Sequence, residues 1–211
     1  MTDNYFGWAT PPDDIIEKYV EAVNLFLNDT RAFATFKTHE NYTPILSVQV
    51  KIIGELNLEL IQSDPQVHRL FLSHLREIKE NDIIGTPTIH DYGKYKMMAA
   101  DTIKYGYNAS YIKHNLKEEP IKKIVEIGSG YGAMAKILHS FVQFDSYTMI
   151  DLPIVVKLCK KYLDHFPAIK DKMTYIGCDE LDEIKKIGPI DLVIADSSMS
   201  ECDLQSLKFY T

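Results

Sequence analysis

From Lys122 to Asp196 the chain reads "KIVEI", "GAMAKILHSFV", "SYTMID", "PIVVKLCKKYL", "MTYIG", "ELDEIKKI" and "IDLVIAD" in order, so that four β-branched runs alternate with three amphipathic ones. Few folds satisfy such an alternation other than βαβ crossovers, which force the strands to lie parallel. The strand-like runs are apolar throughout rather than at every second residue. That pattern predicts a sheet covered on both faces. No longer period repeats and no low-complexity tract interrupts the series.

The residues before this point carry a different rhythm. "PPDDIIEKYVEAVNLFLND" opens on Pro12 and two acids and repeats apolar residues at Ile16, Val20, Val23 and Leu27, as a helix does. In "YTPILSVQVKIIGELNLELI" the alternation at Val48, Val50 and Ile52 suits a strand, but Ile45, Val48, Ile52, Leu56 and Leu60 trace one helical face, and the length favours a helix. "PQVHRLFLSHLREIKEND" predicts one helix from Pro65 with Val67, Leu70, Phe71, His74, Leu75 and Ile78 on its stripe. "NDIIGTPTIHDYGKY" has no helical period and reads as an ordered loop. "MMAADTIKYGYNASYIKHNL" then resumes helical character, broken near Gly106 and Asn108. The expected organisation is a helical region over 1–118 and an α/β region over 119–211.

Composition narrows the partners. A chain of 211 residues with a formal charge of −7 and no run of basic residues suits neither nucleic acid nor an anionic membrane surface. No apolar run approaches the ~18 residues of a membrane span, and the first residues lack the pattern of a secretory leader. Cys159, Cys178 and Cys202 are odd in number and lack metal-ligand spacing. Reduced thiols in the cytoplasm and no metal site are expected.

The chemistry concentrates at "VEIGSGYGAMAKIL". A strand that ends in Gly128, Gly130 and Gly132 and passes into a helix brings backbone N–H groups close to a ligand at the carboxyl edge of the sheet, where nucleotide cofactors bind. The even spacing departs from the G-x-G-x-x-G of dinucleotide sites. Glu126, beside the turn, would repel a pyrophosphate and favour a ligand that carries an ammonium group and no phosphates. S-adenosylmethionine has that charge pattern. Asp151, closing the next strand, sits where an acid accepts ribose hydroxyls in either cofactor class, or it caps the helix beginning at Pro153.

These residues resemble class I S-adenosylmethionine-dependent methyltransferases, whose first motif, E/D-x-G-x-G-x-G, is matched in full by "EIGSGYG". More narrowly, "NDIIGTP", "AADTIKYGY", "IVEIGSGYGAMAKI", "MIDLPIVVKLCKKYL" and "DLVIADSSMSE" are similar, in that order, to the sugar O-methyltransferase family, from about Tyr42 to Glu201. The resemblance implies a helical N-terminal region followed by an incomplete Rossmann-like sheet of about four parallel strands in the order 3-2-1-4. It implies S-adenosylmethionine as cofactor and a sugar or glycan hydroxyl as acceptor. On matching positions, Glu126, Gly128, Ser129, Gly130 and Gly132 would hold the methionine end, Asp151 the ribose and Leu152 the adenine face. Asp179 would lie near the adenine amino group, and Asp196 would line the mouth where the methyl group points. Lys104, before Tyr105, stands where the family pattern has an arginine, and a lysine there loses bidentate geometry toward the cofactor carboxylate.

Other residues carry two readings. Ser198 and Glu201 form a capping box, or Glu201 serves catalysis. His90, beside Asp91, is a solvated loop histidine or the base that takes a sugar hydroxyl proton. His74 reads as a core-edge histidine, Met97 and Met98 as packing residues and Cys178 as a small buried hydrophobe, while Tyr92, Tyr95 and Tyr131 could stack on an acceptor. The family domain continues beyond four strands, so "IDLVIAD" is expected to expose an apolar edge unless a second copy or a partner chain completes the sheet. Three activities stay open: a methyltransferase, a cofactor-binding remnant or regulatory subunit without turnover, and a nicotinamide-dependent oxidoreductase. A DNA amino-methyltransferase is disfavoured, because "ADSSMS" lacks the N/D-P-P-Y/F type of motif.

Overall fold

A computed structural model describes residues 13–46, 49–116, 120–196, 198 and 208–210. They group into two compact units. One is helical and comprises 25–120 with 133–143; the other, built on a parallel sheet, comprises the residues up to 24 with 121–132 and those from 144 on.

In chain order the first elements are α1 (Asp13–Asn28), α2 (Thr30–Ala34), α3 (Thr43–Leu46), α4 (Lys51–Ser63), α5 (Pro65–Ser73), α6 (Leu75–Lys79), β1 (Ile89–Asp91), β2 (Met97–Ala99) and α7 (Ala100–Leu116). The buried face of α1 is Tyr19, Ala22, Val23 and Phe26, a helical stripe led by aromatics rather than by the aliphatic residues beside it. Phe26, Phe36 and Tyr42 form an edge-to-face cluster in the helical unit, with centroids 5.4–5.9 Å apart. In α4 the expected face is turned outward. Gly54, Leu58 and Ile61 are buried, whereas Ile52, Leu56 and Leu60 stay about half exposed. The helix is apolar on two sides, so periodicity alone could not choose which one packs.

The single helix expected from Pro65 is two. Asp64 caps its start, accepting from the N–H groups of Gln66 and Val67. His74 then leaves helical geometry at φ −115°, its Nδ1 bonded to the Leu70 carbonyl at 2.9 Å and its ring stacked on Phe141. That agrees with a core-edge role for His74. The segment expected to be an ordered loop contains an antiparallel hairpin, β1 with β2, pairing His90 with Met98. Strands of three residues are too short to show a period. Met98 is buried but Met97 is not. Nor is α7 broken at Gly106 or Asn108. It runs unbroken against α4, α5 and α6.

A network of buried charge ties this unit together. Lys37, 1 % exposed, donates from Nζ to the Asn81 carbonyl at 2.5 Å. Asn81 Nδ2 donates to Thr102 Oγ1, Thr102 donates to Asp82, and Asp82 accepts a further bond from the Ala99 N–H. Burial pushes Lys37 down to about 7 against the opposing pull of Asp82 and Asp101, and burial pushes Asp82 up.

The remaining elements are β3 (Lys123–Ile127), α8 (Ala133–Phe141), β4 (Ser146–Asp151), α9 (Pro153–Leu163), β5 (Met173–Gly177), α10 (Leu181–Ile184) and β6 (Leu192–Ile194). Although it follows the glycine turn directly, α8 groups with the helical unit and packs on α7. Its Lys136, nearly buried, pairs with Glu80 at 3.0 Å and donates to the Glu77 carbonyl. The four strands β5-β4-β3-β6 form one sheet with every pair parallel, α9 packing on β4 and β5. Counted along the chain, these are its third, second, first and fourth strands. Asp191 sets the register at the start of β6, accepting both the Lys122 and Lys123 N–H groups at 2.8 Å. Central β3 is buried from Ile124 to Ile127. At the rim the apolar expectation fails: β6 is three residues long, and Val193 is 53 % exposed. Among the described residues β6 pairs with β3 alone.

Candidate functional site

The glycine turn lies at the carboxyl ends of β3 and β4, where a parallel sheet offers a ligand crevice. Gly128, Gly130 and Gly132 have φ of +74°, +55° and +90°, a region where side chains are strained. At Gly128 there is a second constraint, because a Cβ would overlap the Ser198 side chain. The Ser198 hydroxyl instead donates to the Ile127 carbonyl at the end of β3. The serine read as a helix cap thus closes the strand end, and its supposed partner Glu201 lies outside the described residues.

The turn is held by its own hydrogen bonds. Gly128 N–H donates to the Ile150 carbonyl at 2.8 Å, Gly130 N–H to Asp151 Oδ2 at 2.9 Å and Gly132 N–H to the Ser129 carbonyl at 2.9 Å. The expectation that glycine N–H groups turn toward a ligand is therefore corrected: all three are engaged within the protein, and what the turn offers a ligand is a preset shape. The Cys159 thiol on α9 donates to the Gly130 carbonyl at 2.8 Å and lies 3.4 Å from Ser129 Oγ. Burial and the Asp151 charge push that thiol well up, so it persists as a thiol. Asp151 also accepts the Leu152 N–H at 2.7 Å, so its carboxylate braces the turn from β4. The N-cap position of α9 is Leu152, whose side chain makes no cap bond.

Glu126 sits within β3 at 2 % exposure and accepts a hydrogen bond from the Tyr147 hydroxyl at 2.7 Å. Burial pushes its carboxyl up to about 8, the charges of Asp196 and Asp151 push the same way, and the Tyr147 bond pulls back. Three acids thus act on one strand end. Among the described residues no group of His, Cys, Asp and Glu is spaced to hold a metal ion. Leu152 is buried at 3 %, Asp179 is exposed beyond β5 with a carboxylate oxygen close over Gly177, and Asp196 is half-buried past β6.

Two residues of the expected site belong to the helical unit. Lys104 lies on α7 with Nζ 5.9 Å from the Tyr105 ring centroid. His90 lies on β1, its Nε2 bonded to the Gln49 carbonyl at 2.7 Å, which leaves Nδ1 as the basic nitrogen. The tyrosines are built into packing: Tyr95 is buried with its hydroxyl 2.9 Å from His68, Tyr131 stands edge-on to Tyr162, and Tyr92 is buried with its hydroxyl toward the Lys51 carbonyl. Cys178 is buried, as expected of a small hydrophobe. Sequence reasoning missed Tyr147, Cys159 and Ser198 as partners of the strand end and its turn. Their only signal was their place on the flanking strands and helix. Among the described residues no helix is long and apolar enough to cross a membrane.

No family model matches the chain, and no curated protein matches it. Solved structures do show likeness. The Podospora anserina methyltransferase PaMTH1, bound to SAH, is 14% identical over 72% of this chain and 60% of its own, with a TM-score of 0.40. The O-methyltransferase TomG from Streptomyces achromogenes, involved in tomaymycin synthesis and in complex with SAM, is 13% identical over 71% and 62%, with a TM-score of 0.39. A cyclopropane-fatty-acyl-phospholipid synthase-like protein from Lactobacillus casei is 19% identical over 58% and 46%, with a TM-score of 0.35. This chain spans less than two thirds of the length of each.

Proposed function

We propose that the sheet unit binds S-adenosylmethionine at the glycine turn and that the chain serves O-methyl transfer to a sugar or glycan hydroxyl. The observation that carries the cofactor reading is the acidic strand end: Glu126 buried beneath the turn, with Asp151 and Asp196 acting on it. A pyrophosphate brought there would meet the charges of Asp151 and Asp196 beside a buried Glu126 carboxyl that it could not ionise, whereas a ligand with an ammonium and a sulfonium would be attracted. Even glycine spacing and engaged N–H groups also suit a phosphate-free ligand, since a pyrophosphate site needs donors aimed outward. The sugar acceptor rests on the motif resemblance.

The bound cofactor supplies an already activated methyl group. The chain's part is then to position an acceptor in line with it and to take one proton. Gly128, Ser129, Gly130 and Gly132 are assigned to the wall at the methionine end, with Asp151, which braces the turn, assigned to the ribose hydroxyls and Leu152 and Asp179 to the adenine. Lys104, given to the cofactor carboxylate by the resemblance, belongs to the other unit. Asp196 is the candidate proton acceptor of the sheet unit, while His90, the other candidate, belongs to the helical unit.

Calorimetry with S-adenosylhomocysteine and with NAD tests the first step, and methyl incorporation from labelled cofactor into a panel of sugars tests the second. Homocysteine-ligand binding without NAD binding is expected, followed by label in at least one sugar. NAD binding alone would overturn the reading in favour of an oxidoreductase. Cofactor binding without incorporation, by this chain alone and with candidate partners, would reduce it to a binding unit without turnover.

A further inference from the structure

Glu126 does something in this fold that a surface acid cannot. It lies inside the central strand at 2 % exposure, and the Tyr147 hydroxyl on β4 is its hydrogen-bond donor among the described residues. Among the described residues the ionisable groups that act on it are Asp151 at the end of β4 and Asp196 past β6, with the Cys159 thiol of α9 itself feeling the Glu126 charge. All are neutral or negative. An ionised carboxylate in that position has burial and two like charges against it and one hydroxyl in its favour, so it keeps its proton near neutrality. A cation placed at the strand end changes that balance by direct attraction.

Resting on the cofactor reading above, we propose that Glu126 is a specificity-determining residue: it gives up its proton when a net-cationic ligand occupies the glycine turn and retains it when a neutral one does. The two forms of the cofactor differ in this respect. S-adenosylmethionine carries a sulfonium in addition to its ammonium and carboxylate, while S-adenosylhomocysteine lacks the sulfonium charge. Binding of the methyl donor is therefore coupled to release of a proton from Glu126 to solvent, and binding of the demethylated product is not. The carboxyl stands at about 8 without ligand, so nearly the whole population is protonated at pH 7 and available to release. In consequence the donor gains affinity over the product as pH rises, and transfer of the methyl group weakens the hold on what remains.

The test is calorimetric titration of the full chain at pH 7 with each ligand in two buffers of different ionisation heat, phosphate and Tris. The ligands carry the same amino and carboxyl groups, and correcting for the ammonium pKa of each free ligand, which the sulfonium lowers in the donor, leaves the protein's proton as the difference. The donor is expected to show a buffer-dependent heat equivalent to nearly one more proton released than the product shows. Its affinity relative to the product should rise from pH 6 to pH 7.5 by up to about tenfold per unit. Glu126→Gln, checked for folding by circular dichroism, should abolish both differences while still binding product. Equal proton release with donor and product, or the same excess in Glu126→Gln, overturns the proposal with the cofactor reading intact. Binding of neither ligand to the unaltered chain instead overturns the cofactor reading itself. If Glu126→Gln does not fold, the two-buffer comparison on the unaltered chain decides alone.

Discussion

Each of the two units buries an ionisable side chain, and they handle it in opposite ways. In the helical unit Lys37 is partly compensated: Nζ donates to the Asn81 carbonyl, and Asp82 and Asp101 bring negative charge against burial and the like charge of Lys136, with Asp82 itself bonded by Thr102 and Ala99. Both signs are present within the unit. In the sheet unit Glu126 has, among the described residues, one hydroxyl donor, and the charges acting on it are of its own sign. A buried group with opposite charges built around it in its own unit reads as structural. A buried group left unbalanced next to a preset turn reads as a site awaiting an opposite charge. The same burial thus means different things, and the neighbours decide which.

The change that most directly breaks this contrast is Gly128→Ala. It forces alanine to φ +74° and drives its Cβ into the Ser198 side chain, which closes the end of β3 through the Ile127 carbonyl. Strain and overpacking together should cost on the order of 2–6 kcal/mol. Urea denaturation should show that loss, and calorimetry should show no S-adenosylhomocysteine binding in whatever protein remains folded. Unchanged stability would mean that the strand end is looser than its hydrogen bonds indicate.

The two buried groups should also leave opposite marks on stability against pH. Glu126 stands at about 8 in the fold and has a reference value of 4.5, so between these the folded chain holds a proton that the unfolded chain has lost. Its contribution is full below 4.5 and disappears as pH rises to 8. Lys37 stands at about 7 against a reference of 10.5, so between these the unfolded chain holds the extra proton. Its contribution is present above 10.5 and is lost as pH falls to 7. Each produces a slope of at most about 1.4 kcal/mol per pH unit. Urea midpoints from pH 5 to pH 9.5 should fall and then climb. Glu126→Gln should flatten the first limb and Lys37→Met the second. One variant flattening both limbs would sink the assignment of each slope to its own residue.

The sheet unit was more legible in the sequence than the helical one, for physical reasons. Its strands and crossovers are coded locally, by apolar runs and by three glycines that tolerate positive φ. What escaped notice there is long-range: Tyr147 meets Glu126 across 21 residues, and Cys159 meets the Gly130 carbonyl across 29. No spacing rule announces such pairs. In the helical unit α4 is apolar on two faces, and the pattern read from Ile52, Leu56 and Leu60 pointed outward because Leu58 and Ile61 won the core. The hairpin β1–β2 was invisible because three residues cannot show a period of two.

Gly106 illustrates the same limit and gives the smallest effect. A glycine inside a helical pattern suggests a break, yet α7 continues through it. The reason is on the neighbouring helices: a Cβ at Gly106 would lie 2.6 Å from Phe71 Cε2 and 3.1 Å from Ile78. The backbone there is helical, so Gly106→Ala gains about 1 kcal/mol in helix propensity and loses about 1–3 kcal/mol to overpacking. A net destabilisation of about 0–2 kcal/mol is expected by urea denaturation, well below that of Gly128→Ala, where the backbone as well as the space refuses a side chain. Shaving the obstacle with Phe71→Leu should make the second substitution neutral to favourable by up to about 1 kcal/mol, because the propensity gain survives and only the Ile78 contact remains. If the double variant recovers nothing, the glycine serves the backbone rather than the contact, and the difference between the two glycines vanishes.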